Sequence, residues 1–127
     1  MAHALYTGGH SDLSPKYRDI GEKMAVDFLL KKGYKILEKN FRFGKLEVDI
    51  IALKDDTVAF VEVKRREKRD YGNPEEFVDA RKQRRVMKVA RFYMSRNGLF
   101  DTHHVRFDVI SITGEEILHI EGAYREH

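Results

Sequence analysis

Two acids and a lysine, Asp49, Glu62 and Lys64, interrupt stretches otherwise made of Ile, Val, Ala and Phe, and these are the residues best placed to do chemistry. Asp49 is followed by Ile50-Ile51-Ala52; Glu62 is bracketed by Phe60-Val61 and Val63, and Lys64 comes two residues later. The polar Lys54-Asp55-Asp56 between the two stretches reads as a turn. A turn symmetric about Asp55-Asp56 sets Asp49 opposite Glu62 and Glu47 opposite Lys64. All four side chains then share one face, because strand residues two apart point the same way. Two carboxylates about 5 Å apart at Cβ, in partly dry surroundings, oppose each other's ionisation. A hard divalent cation, Mg²⁺ or Mn²⁺, relieves that opposition: Mg²⁺ takes oxygen ligands, commonly one or two carboxylates with water and a substrate phosphate. Lys64 is placed to orient an attacking water or to stabilise charge building on a phosphate. The plain alternative is a solvated Glu-x-Lys pair on an exposed strand, and the apolar neighbours of both acids weigh against it. Glu47 is either a further ligand or simply the partner of Lys64.

Two helices and five strands must position these residues. Ser14-Pro15 gives an N-cap and a proline at the first helical position, and Tyr17, Ile20, Met24, Ala25, Phe28 and Leu29 recur at helical spacing up to Gly33. Strands follow at 34–43, 46–53 and 57–65. Val58 and Phe60 lie on one face of the third strand, and Ala59, Val61 and Val63 on the other, so both faces need cover. After a loop, Pro74-Glu75-Glu76 opens a second helix that ends at Arg96 before Asn97-Gly98. Strands at 105–112 and 116–121 close the order αβββαββ. The expected fold is α/β, one mixed sheet flanked by two helices, in a single domain over 13–127 behind a loose leader at 1–12.

A chain of 127 residues supports one core. The absence of cysteine excludes disulfides, zinc ribbons and thiol nucleophiles. No apolar run approaches the roughly 18 residues of a bilayer span, and no secretory signal is read at Met1–His10, so no membrane association and a cytoplasmic location are expected. The net charge is only +3, yet between Lys64 and Arg96 there are 12 Lys/Arg against 5 Asp/Glu. Charge segregated in this way suits a polyanion. In the second helix Val78, Val86, Val89 and Tyr93 mark the buried side, with Arg81, Arg84, Lys88 and Arg91 on a solvated face opposite. Lys82 falls inside the apolar stripe and must reach a polar site on the sheet, where it suits a phosphate. Arg65, Arg66, Lys68 and Arg69 leave the third strand beside the acids, where they can follow a phosphate backbone. His103-His104 diverge and make a poor metal site, and His119 reads as structural.

Several of these residues together resemble a known family. Gly21-Glu22, Glu47-Val48-Asp49-Ile50-Ile51-Ala52, Phe60-Val61-Glu62-Val63-Lys64, Gly72-Asn73-Pro74 and Arg106-Phe107-Asp108-Val109-Ile110 are similar to the YraN family of small, uncharacterised bacterial proteins. That family looks like the PD-(D/E)XK nucleases and archaeal Holliday-junction resolvases, which implies a restriction-endonuclease-like αβββαβ core. The resemblance makes Asp49 and Glu62 the metal-binding acids, with the Val63 carbonyl as a further ligand. It makes Lys64 the motif lysine and Glu22 the helix-one acid that completes the site. Val48 stands where the superfamily name has proline.

The resulting expectation is a metal-dependent endonuclease or phosphodiesterase acting on DNA, branched or structured DNA included. Cutting a junction needs two sites, hence a homodimer. The alternatives are a non-catalytic nucleic-acid-binding protein that keeps the fold, and a protein-interaction domain whose basic helix meets an acidic partner.

Overall fold

The computed structural model describes residues 15–66 and 80–124. The leader, Lys68, Arg69, Val78 and the Pro74 helix start lie outside them. Helix α1 (Pro15–Lys31) begins on its proline, whose missing N–H would be unpaired there in any residue. It ends where Gly33 takes φ 96° and the Tyr34 amide donates back to the Leu29 carbonyl. Strands β1 (Lys35–Phe43), β2 (Leu46–Lys54) and β3 (Thr57–Arg66) form the expected meander. Helix α2 (Ala80–Arg96), β4 (His104–Thr113) and β5 (Glu116–Tyr124) complete the described chain.

The five strands lie in sequence order in one mixed sheet in which only β3 and β4 are parallel. That parallel step needs a crossover, and α2 lies in the segment that makes it. The β2–β3 turn is symmetric about Asp55-Asp56: Lys54 pairs with Thr57, and the ladder runs to Ile50 against Val61. Asp55 takes φ 55°, which an aspartate tolerates better than most residues.

Each face carries its own core. Val58, Phe60 and Phe107 pack with Val86, Val89, Ala90, Tyr93 and Met94 of α2, while Ala59, Val61, Ile110 and Ile112 pack with Ala25 and Leu29 of α1. The α2 stripe is thus wider than the expected set, taking in Met87, Ala90 and Met94, and Arg81, Arg84, Lys88 and Arg91 stay exposed opposite it. Ile20 departs from the α1 stripe and is 43% exposed.

Besides a β1–β2 register shift between Ile36 and Glu38, the sheet is irregular in two further places. Val48 and Ile51 lie three residues apart yet both join the α2-side core, so β2 changes face between them. Across from this point on β1, Asn40 is left-handed at φ 50°. At the other edge the β4–β5 register shifts between Phe107 and Val109 while Gly122 takes φ 63°. That bulge carries β5 three residues beyond its expected end at Glu121.

Candidate active site

Past Ile50 and Val61 the β2–β3 ladder stops, and a carboxylate takes over from a carbonyl: the Val63 amide donates to Asp49 Oδ2 at 2.7 Å. The amide and carbonyl of one strand residue point to the same neighbour, so the Val63 carbonyl is also aimed at the gap. The cleft there is lined by Glu47, Val48, Asp49, Phe60, Val61, Glu62, Lys82, Val86 and Tyr124. The expected convergence of Asp49 and Glu62 therefore holds, although the two acids meet beyond the ladder and not as a hydrogen-bonded pair.

Glu62 is 8% exposed. Its Oε2 takes Lys82 Nζ at 2.6 Å and Lys64 Nζ at 3.0 Å. Its Oε1 is buried with no hydrogen-bond partner among the described residues. A buried carboxylate oxygen in that state is costly, and an oxygen-seeking cation is the group that would satisfy it. Asp49 carries the opposite signature. Burial pushes its carboxyl up to about 7; the Val63 amide pulls it down, and Glu62 and Glu22 push it up again. Two acids and a carbonyl are a small donor set. Among the described residues no three Asp, Glu, His or Cys side chains form a ready-made metal cage. Such a set fits Mg²⁺ or Mn²⁺, which complete their shells with water and substrate phosphate.

Glu22, on α1, acts on Asp49 through its charge, and its Oε2 accepts from Asn40 Nδ2 at 2.9 Å. The left-handed turn at Asn40 thus supports the acid expected from helix one. Glu47 joins the cleft lining. Lys82 reaches the sheet's polar site as its place in the stripe required. The basic run is a different matter. Arg66 extends β3 one residue beyond its expected end, and both Arg65 and Arg66 are half-buried. A Cβ on Gly21 would lie 3.3 Å from Arg65 Cδ, so Arg65 packs across α1 beside Glu22, on the face away from Lys64. Lys68 and Arg69 lie outside the described residues.

Sequence reasoning missed Tyr124. Its ring stacks on Phe107 with centroids 5.0 Å apart and planes at 11°, and it borders the cleft beside Glu62. Burial, with the charges of Glu62 and Asp108, raises its phenol and keeps it a donor. The only signal was Gly122, which reads as the end of a strand when it in fact turns a bulge.

That bulge is held from the opposite face. The buried Asp108 accepts from Arg106 Nε at 2.9 Å and Nη2 at 2.8 Å, and from the Gly122 amide at 3.0 Å. His119 Nε2 is 2.8 Å from Asp108 Oδ2, and Lys32 Nζ is 2.8 Å from His119 Nδ1. An ammonium donates to a ring nitrogen only if that nitrogen is bare, which assigns the proton to Nε2. Burial alone would raise the Asp108 carboxyl, but the bonds from His119, Arg106 and Gly122 outweigh it and hold it below the usual range. His119 is therefore structural.

Among the described residues no helix is long and apolar enough to cross a membrane. The family model described as uncharacterised protein family UPF0102 matches residues 21–112. The UPF0102 protein of Thermodesulfovibrio yellowstonii is 49% identical over 104 residues, covering 82% of this chain and 91% of the relative. That of Clostridium perfringens is 44% identical over 106 residues, covering 84% and 83%. A third, from Clostridioides difficile, is 45% identical over 108 residues, covering 84% and 94%.

Proposed function

Because this chain belongs to the uncharacterised protein family UPF0102, a name that carries no activity, we propose its function from the cleft: a divalent-metal-dependent phosphodiesterase, an endonuclease acting on DNA that includes branched or structured forms. The observation that carries this reading is the pairing of Asp49 with Glu62 at the end of the β2–β3 ladder, with one Glu62 oxygen bridging two lysines and the other buried without a partner.

Asp49, Glu62 and the Val63 carbonyl would hold the ion, and Glu22, held by Asn40, would support a second ion or water. The bound cation would supply Lewis acidity and offset the negative charge of the phosphate. Lys64 and Lys82 fix the Glu62 carboxylate, and either ammonium can donate to a phosphate oxygen as charge builds there. Lys64 is also placed to orient the attacking water. Tyr124 offers a neutral hydroxyl donor from the cleft wall. A branched substrate is cut on two strands, which calls for two copies of the chain, and DNA as substrate accords with a cytoplasmic location.

The test is cleavage of labelled linear, flapped and branched DNA with Mg²⁺, Mn²⁺ or EDTA. Strand scission that needs the metal and is lost in Asp49→Asn and Glu62→Gln supports the proposal. Salt-sensitive binding without scission favours the non-catalytic nucleic-acid-binding protein instead. Absence of both leaves the protein-interaction reading.

A further inference from the structure

Beside the cleft, the β1–β2 hairpin presents an aromatic surface that the phosphodiesterase chemistry does not use. Phe43, the last residue of β1, is 37% exposed. Its ring lies flat on Phe92 of α2, with centroids 4.3 Å apart and planes at 16°. Phe41 continues the group inward, 6.3 Å from Phe92 and edge-on to Tyr93 at 5.2 Å. Phe43 is thus the outermost ring of a braced group, held rigid from below and open to water.

Single exposed apolar residues are ordinary and need no explanation. Three features set this one apart. Its support is a stacked ring, which fixes the plane of Phe43. Exposed cations lie near it: Lys45 is two residues on in the hairpin, and the exposed Arg96 has its guanidinium 5.8 Å from the Phe92 centroid. Its place is adjacent to the cleft, since Phe43 pairs with Leu46, and Glu47, Val48 and Asp49 follow as cleft lining. From Leu46 to Asp49 is about 10 Å along a strand, or roughly three stacked nucleotide steps.

A flat ring with cations nearby is how proteins hold single-stranded nucleic acid: bases stack on the ring and phosphates meet the cations. We propose that Phe43 is the stacking platform for an unpaired base of the strand whose phosphate enters the Asp49–Glu62 cleft, so that the protein selects nucleic acid unpaired beside the bond to be cut. This rests on the phosphodiesterase reading for the cleft, but its own evidence is the ring geometry. A base paired within a duplex is covered on both faces by its neighbours and cannot use the platform.

The chain has no tryptophan, so Phe43→Trp installs a unique fluorophore at the platform without losing the flat ring. In EDTA, its emission is quenched by a short single-stranded oligodeoxynucleotide and by a duplex with a single-stranded tail, but not by the blunt duplex of the same sequence. Phe43→Ala and Phe43→Leu weaken single-strand binding roughly tenfold, leave blunt-duplex binding unchanged, and Phe43→Trp restores it. Equal quenching by both forms, or equal losses on both in Phe43→Ala, overturns the platform, as does binding that no Phe43 variant alters. The two readings fail separately. Quenching without metal-dependent cleavage removes the phosphodiesterase and keeps the platform; cleavage without selective quenching does the reverse.

Discussion

Replacing Asp49 by Asn should make the metal-free protein more stable, and the gain should grow with pH. The Asp49 carboxyl is pushed from 3.8 to about 7, chiefly by burial. Below pH 4 both the folded and unfolded chains hold the proton, and stability is unaffected. Between 4 and 7 the unfolded chain has lost it and the folded chain keeps it, so stability falls as pH rises, and above 7 the penalty is constant. A displacement of about 3 units corresponds to about 4 kcal/mol at most, and access of water to this half-buried carboxylate reduces it toward 1 kcal/mol. Asn fills the same space, and its carbonyl oxygen can accept the Val63 amide as Asp49 does. Urea unfolding of both proteins in EDTA should show Asp49→Asn ahead by between about 1 and 4 kcal/mol at pH 8; at the full displacement that gap falls to roughly two-fifths at pH 5, and a smaller gap falls by less. Adding Mg²⁺ should raise the midpoint of the parent protein only. A gap that is absent, or constant from pH 5 to 8, would show that Asp49 ionises normally and would refute the idea of a dry, mutually opposed pair.

Lys82→Met keeps an apolar stem beside Val86 in the cleft lining but takes one of two ammonium groups from Glu62 Oε2. It should cost only about 1 kcal/mol in urea unfolding because Lys64 remains, while cleavage at saturating DNA falls tenfold or more and DNA binding becomes less dependent on salt. Tyr124→Phe preserves the stack on Phe107. It should leave the unfolding midpoint in place and lower the cleavage rate about tenfold, and an unchanged rate would remove the hydroxyl from the site. Asp108→Asn puts an amide donor among the donors of Arg106, His119 and Gly122, and should cost about 3 kcal/mol or more in urea unfolding. Since the Asp108 carboxyl is held below 3.8, that advantage of the parent protein should persist at all higher pH and disappear only below it.

The sequence carried the site further than composition alone would suggest, and the reasons are particular. Alternation in β2 and β3, with a polar turn between them, was enough to pair the strands correctly, because a slip of one residue would have turned Ile50, Ala52, Val61 and Ala59 out of their core. Pairing in turn brought Asp49 and Glu62 to the same place. Lys82 was legible for a similar reason: a cation inside an apolar stripe has few destinations. What escaped depended on backbone departures from regularity. Nothing local to Asn40 announces a left-handed residue, so the change of face at Asp49 and the support of Glu22 could not be read. The end of β3 was expected at Arg65 and lies at Arg66, because a strand's end in a run of charges has no compositional mark. Phe43 lay beyond reach altogether, since its significance comes from Phe92, which is distant in sequence and meets it only when α2 packs on the sheet.

The Gly122 bulge links two regions that share no side chain. Asp108 grips the Gly122 amide under the α1 side of the sheet, and two residues later Tyr124 emerges over the α2 side. The reach of a phenol into the cleft is therefore set by a knot of charges on the reverse of the same sheet. Damage to that knot, at His119 or Arg106, would retract a wall of the cleft without touching anything inside it. A variant of that kind would look like a catalytic mutant in an assay and like a stability mutant in a melt, and only its position behind the sheet would explain why it is both.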